Sequence, residues 1–88
     1  MKITTLEQTC DACPSQWEGT LEDGTAFYVR YRGARLRIGF GKTVGAAIDQ
    51  MDAYTRILSD EPLDGYIRWD EVLPHFNQAV NEFYAHPL

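Results

Sequence analysis

The sequence predicts a small α+β domain, built from an antiparallel β-meander with two α-helices packed on one of its faces. Two observations support this class. Segments in the first half alternate apolar and polar residues with a period of two, whereas segments in the second half repeat apolar residues with a helical period. The 88 residues suit one small domain, which we take to span 1–88.

Three strands are predicted at residues 16–21, 26–32 and 35–40, with turn signals between them. Short extended segments at 3–6 and 66–68 leave a fourth and a fifth strand open. The apolar residues of the three strands share one face of the sheet. The opposite face is polar and carries Gln16, Glu18, Thr20, Tyr28, Arg30, Arg32, Arg35 and Arg37.

Turn chemistry predicts the register of both hairpins. The dipeptide Gly33-Ala34, with glycine first, suits a two-residue type II′ turn. In the first hairpin, a three-residue loop with Gly24 in the left-handed conformation keeps the apolar residues on one face. The resulting cross-strand pairs are Leu21 with Thr25, Arg32 with Arg35, and Arg30 with Arg37.

Two helices are predicted after the meander. Apolar residues at helical spacing indicate a helix over residues 43–58, with Thr43 as its N-cap. A second helix begins after a loop at residues 61–65, with Asp70 as its N-cap. We expect both helices to cover the apolar face of the sheet.

The predicted register places four arginines opposite one another on the polar face. Like charges directly opposite destabilise a hairpin by about 0.2–1 kcal/mol per pair. Guanidinium groups grip phosphate or carboxylate in a bidentate manner, and an adjacent tyrosine can stack on a ring. The candidate anion site is Tyr28, Arg30, Arg32, Arg35 and Arg37. A solvated face, or a dimer surface that meets the acidic half of a partner chain, remains an alternative.

Residues 39–45 have the glycine content of a nucleotide-binding loop but not its spacing. A P-loop requires glycine at position 36, which is Leu36. The segment is typical of a strand-to-helix turn, in which Lys42 and free backbone N–H groups are able to hold an anion. Lys42 therefore joins the candidate ligand-binding residues.

The two cysteines form a C-x-x-C motif at Cys10 and Cys13. With a hairpin behind it, the motif resembles half of a zinc ribbon, and zinc is a possible cofactor. The only histidines, His75 and His86, lack the usual finger spacing, so they would have to converge on the cysteines in the fold. Reduced cysteines and a disulfide or redox pair are the alternatives.

Composition excludes several functions. The net charge of −5 argues against a duplex-DNA binder, which gains its affinity from many phosphate contacts. No apolar run approaches the roughly 18 residues of a membrane span, and the first residues lack a signal peptide. We therefore expect a cytoplasmic protein with no membrane partner. No hydrolase, kinase or metalloprotease signature is present, so we lean against an enzyme.

The sequence resembles short uncharacterised proteins of bacteriophages and actinobacteria. The resemblance rests on CDACPSQWEG at residues 10–19, YVRYR at 28–32, LDGY at 63–66 and WDE at 69–71. It implies no established activity. A phage origin would imply a protein that counters host defence, in the host cytoplasm, by binding a host protein or sequestering a nucleotide signal.

These observations favour a non-enzymatic protein that binds an anionic, nucleotide-like small molecule on its arginine-rich sheet face. We expect a homo-oligomer, because one small sheet face is too open to enclose a ligand. The alternative is a protein-interaction module or inhibitor that uses its acidic second half. That half contains eight of the thirteen acidic residues, among them Asp60, Glu61, Asp64 and Glu71. A further alternative is a zinc-stapled structural domain.

Overall fold

A computed structural model describes residues 2–12 and 14–85 of the chain. These residues form five strands and two α-helices. The strands are β1 (Ile3–Cys10), β2 (Ser15–Leu21), β3 (Ala26–Arg32), β4 (Arg35–Gly41) and β5 (Tyr54–Ile57), and the helices are α1 (Val44–Asp49) and α2 (Trp69–Ala85). The strands form one antiparallel sheet in the order β1-β2-β3-β4-β5, so the predicted α+β class is confirmed. No helix in the described residues is long and apolar enough to cross a membrane.

Both hairpins have the predicted register. The β2–β3 loop holds Gly24 at a φ of 88°, and the Leu21 N–H donates to the Thr25 carbonyl at 2.8 Å. The β3–β4 hairpin pairs Arg32 with Arg35 and Arg30 with Arg37. The period-two pattern therefore located these strands and their partners correctly.

The β3–β4 turn is type I′, not the predicted type II′. Gly33 and Ala34 both have positive φ, at 60° and 62°, and two positive values define the primed type I turn. This backbone is unfavourable for an alanine. Two backbone hydrogen bonds from other segments of the protein hold this turn conformation. The Ala34 N–H donates to the Asp64 carbonyl at 2.7 Å, and the Ala34 carbonyl accepts from the Leu58 N–H at 2.9 Å.

Helix α2 covers the apolar face of the sheet, as predicted. The Phe76 ring lies 4.8 Å from the Phe27 ring and 5.9 Å from the Phe40 ring, measured between centroids. The buried residues of α2 are Val72, Phe76, Ala79 and Val80. This aromatic cluster forms the centre of the hydrophobic core.

Helix α1 lies on the opposite, polar face of the sheet, whereas the sequence predicted it on the apolar face. A Cβ on Gly39 would lie 2.1 Å from the Ala47 carbonyl oxygen, and a Cβ on Gly41 would lie 2.8 Å from the Ala46 Cβ. Both glycines point away from the apolar face, because they alternate with the buried Phe40. Their missing side chains leave room for a short helix of small residues.

The helix predicted over residues 43–58 is wrong beyond Asp49. Thr43 is the N-cap, as predicted, and its hydroxyl accepts from the Ala46 N–H at 3.1 Å. After α1 the chain makes a 3₁₀ turn at Met51–Ala53 and becomes β5. Aromatic and β-branched residues favour a strand, and β4 offers a free edge to pair with. Tertiary pairing therefore overrides the helical period.

The start of α2 also differs from the prediction. The helix begins at Trp69, so Asp70 lies inside its first turn instead of capping it. The Arg68 N–H donates to the Glu71 carboxylate at 3.2 Å, so the backbone N–H that precedes the helix has a hydrogen-bond acceptor. Residues 66–68 are not a strand, although Ile67 is buried in the core.

The segment before α2 closes one end of the core through Ser15. This side chain is fully buried, and its hydroxyl accepts from the Ile67 N–H at 3.2 Å and donates to the Asp11 carbonyl. Its own N–H donates to the Gly65 carbonyl at 2.8 Å. Ser15 thus connects the start of β2 to the segment before it, at Asp11, and to the segment before α2, at Gly65 and Ile67.

Tyr31 anchors the same segment from the sheet. Its hydroxyl donates to the Asp64 carboxylate at 2.7 Å. Burial and this carboxylate raise the pKa of Tyr31 to about 12. In the folded chain Tyr31 is therefore a neutral phenol that donates its proton to the hydrogen bond with Asp64.

We predict that Gly39→Ala lowers the free energy of unfolding by about 3 kcal/mol, near the upper end for overpacking, because the methyl group would meet α1 backbone. Gly45→Ala is the matched control. Its Cβ would meet nothing nearer than the Thr43 hydroxyl at 3.9 Å, so we expect stability to rise by about 0.5 kcal/mol. Urea unfolding measures both, and equal stability of the two variants would contradict the contact.

We predict that Tyr31→Phe lowers the free energy of unfolding by about 1.5 kcal/mol near neutral pH, because Asp64 loses its hydrogen bond. In the native protein this stabilisation is complete below pH 10 and is lost as the pH rises through about 12. Urea unfolding across this range should therefore show a smaller alkaline loss in the variant. Tyr66→Phe, at a 59% exposed position, is the control.

Candidate functional site

Four arginines cluster on the part of the polar face that α1 leaves open. Arg30 and Arg32 come from β3, and Arg35 and Arg37 come from β4. Together they line a cavity of about 300 Å³, which we call the arginine patch. The structure therefore brings together all four arginines that the sequence proposed.

The register arranges the patch as two rungs. The outer rung, Arg32 with Arg35, flanks the hairpin turn, and the inner rung is Arg30 with Arg37. Partners within a rung stand about 5 Å apart at their Cα atoms, whereas the rungs are about 7 Å apart along the strands. The side chains point to one face because the rungs are two positions apart along each strand.

The two rungs differ in burial. Arg30 and Arg37 are partly buried, and within residues 2–12 and 14–85 the Nε atoms of both are buried without a hydrogen bond. The Arg37 Nε lies 3.2 Å from an Asp52 carboxylate oxygen, but the N–H is not directed at it. Arg32 and Arg35 are exposed. The inner rung thus holds unsatisfied donors, and the outer rung faces solvent.

Asp52 is the acidic partner that sequence analysis missed. It lies in the 3₁₀ turn before β5, within the segment 43–58 that the sequence predicted as a helix. Within residues 2–12 and 14–85, it is the only carboxylate that forms an ion pair with the patch. Most of the positive charge of the patch is therefore uncompensated.

Tyr28 lies on the same face as the patch but is not available to a ligand. It is 7% exposed and pairs with Gly39, where α1 packs. Its hydroxyl donates to the Gln16 side-chain oxygen at 2.9 Å. Burial raises the pKa of Tyr28, and Arg30 partly opposes that shift. The ring therefore supports the sheet and offers no stacking surface.

Lys42 is not part of the arginine patch. It follows Gly41 at the opposite end of β4, about 17 Å along the strand from Arg37. There it lines a separate cavity of about 430 Å³ with Phe40 and Phe83. The structure does not bring this candidate together with the four arginines.

The candidate metal ligands are only partly described. Cys10 lies at the end of β1, and its thiol donates to the Ala12 carbonyl at 3.6 Å. Cys13 and His86 lie outside the described residues. His75 contacts the Tyr54 hydroxyl at 3.0 Å, on the edge of the sheet opposite β1. Among the residues that the structure covers, no three potential ligands cluster.

The acidic residues of the second half are divided between the surface and internal contacts. Asp60 and Glu61 are exposed in the loop after β5. Asp64 accepts the Tyr31 hydroxyl, and Glu71 accepts the Arg68 N–H. Two of the four residues proposed for a protein interface thus have structural partners within the chain.

Comparisons with protein-family models, curated proteins and solved structures find no match for this chain. Fold class alone does not imply function, because one architecture serves many activities. The chemistry of the arginine patch is therefore the basis for a functional proposal.

We predict that Arg35→Thr raises the free energy of unfolding by about 0.5 kcal/mol at low salt, because it removes one like-charge pair and threonine favours strands. Added salt screens exposed charges, so the gain should shrink in concentrated NaCl. Urea unfolding at two salt concentrations measures the difference. A variant less stable than the native chain at low salt would contradict the repulsion.

Proposed function

We propose that this chain is a non-enzymatic binding protein that holds a phosphate-bearing small molecule on the arginine patch. The observation that carries the proposal is that one cavity is lined by four arginines. A guanidinium presents two parallel N–H donors that match the oxygens of a phosphate. Two such groups in one rung are able to hold one phosphate from both sides.

The unsatisfied inner rung supports the proposal. A buried polar group without a partner costs about 1–3 kcal/mol, so native proteins rarely keep one. Within residues 2–12 and 14–85, the Nε atom of Arg30 has no such partner, whereas the Nε atom of Arg37 has only the Asp52 carboxylate oxygen at 3.2 Å. A bound anion brings acceptors to this rung and neutralises charge that repels within the chain.

Local charge supports the same proposal. The chain as a whole has a net charge of −5, yet the patch contains half of its eight basic residues. A concave positive surface on a negative molecule concentrates anions locally and repels them elsewhere. This pattern suits a small anion better than the long phosphate backbone of duplex DNA, which needs contacts over a wide area.

We predict that inorganic triphosphate binds the native chain at low ionic strength and that Arg30→Gln or Arg37→Gln weakens binding about tenfold, as expected for one lost charge-assisted hydrogen bond. Isothermal titration calorimetry measures the affinities, and circular dichroism checks that the variants fold.

Two variants serve as controls. Lys42→Gln and Arg68→Gln each remove one positive charge away from the patch, so their affinity should stay within about twofold of native. If the native chain binds no triphosphate, or if Lys42→Gln weakens binding as much as Arg37→Gln, the proposal fails. Binding to a basic protein through the acidic second half instead would favour the protein-interaction alternative.

A further inference from the structure

The two rungs of the arginine patch extend along the strands, and this direction limits the ligands that fill it. Within one rung the two arginines face each other across the strands, so one phosphate is able to accept from both. The Cα atoms of the second rung lie about 7 Å farther along the strands, so a ligand that fills both rungs extends in this direction. A linear chain of linked phosphates reaches both rungs.

The patch has a closed end and an open end. At the inner rung, Asp52 lies beside Arg37, and α1 covers the face beyond at Gly39. An anion that extended past the inner rung would meet this carboxylate and then protein. The outer rung instead has exposed side chains and flanks the turn, where Gly33 is exposed and Ala34 is buried. The phosphate on the inner rung is thus the terminal one, and the rest of the ligand leaves past the turn.

The residues that line the patch include no aromatic side chain on which a nucleobase could stack. All four lining residues are arginines. Tyr28, an aromatic residue on this face, is buried beside α1. On the neighbouring strand β5, the residue paired with Arg35 is the aliphatic Ile57, which is 71% exposed. Stacking on aromatic side chains, the common way to hold a base, is therefore missing from the described part of this face.

We infer that the arginine patch recognises the terminal part of a linear phosphate chain, as in a nucleoside triphosphate or inorganic triphosphate, and is indifferent to the base. This inference rests on the proposed function, because it assigns a ligand class to the same site. The terminal phosphate binds the inner rung, and the outer rung binds a phosphate closer to the nucleoside. The nucleoside itself lies beyond the hairpin turn, in solvent.

Calorimetric titration in a buffer freed of divalent cations with a chelating resin tests the ligand class. Inorganic triphosphate, ATP, GTP and CTP should bind the native chain with affinities within about threefold of one another, because each presents the same charged chain. AMP and inorganic phosphate should bind at least about tenfold more weakly, because they fill one rung.

Each rung is then tested by one variant. Arg35→Gln, on the outer rung, should weaken ATP binding about tenfold and leave AMP binding unchanged. Arg37→Gln, on the inner rung, should weaken both ligands. The contrast between two arginines of one strand controls for the general loss of positive charge.

The outcomes separate the two proposals. If no phosphate compound binds, the proposed function fails. If ATP and AMP bind equally, or if Arg35→Gln weakens both alike, phosphate binding stands but two-rung recognition is overturned. A difference between the ATP and CTP affinities well above threefold would also overturn it, because the site would then distinguish one base from another.

Discussion

The packing of α1 against the bare backbone of β4 is the contact on which the rest of the structure depends. Only glycine at position 39 permits it, because any side chain there would collide with the Ala47 carbonyl. The contact divides the polar face into a covered part and an open part. It also turns the chain back beside β4, so that β5 extends the sheet and Asp52 approaches Arg37. The helix thus sets both the extent of the arginine patch and its closed end.

The other end of the patch is fixed by a second set of contacts. The turn at Ala34 has a backbone conformation that an alanine rarely adopts, and hydrogen bonds to Asp64 and Leu58 hold it. Tyr31 and Ser15 anchor the same segment to the sheet. The outer rung therefore flanks a turn that the fold restrains, although its arginines are exposed. Such preorganisation reduces the entropy lost when a ligand binds.

Sequence reasoning recovered what local pattern determines and missed what depends on tertiary packing. Alternation and turn residues placed the strands of both hairpins and the pairing of Arg30 with Arg37. They could not place α1, because a helix of small residues has no apolar stripe that points to a face. The helical period after Asp49 was overridden by the free edge of β4. For the same reason the burial of Tyr28 and the approach of Asp52 were not predictable.

The arrangement of charge follows from these constraints. On the covered part of the polar face, α1 buries Tyr28, whose hydroxyl finds a neutral partner in Gln16. All four arginines lie on the open part, where water screens their repulsion. A marginally stable domain of this size gains nothing from facing like charges in two successive rungs. A bound anion of the class that we propose would bridge the rungs and convert that repulsion into attraction, and its binding would thereby stabilise the fold.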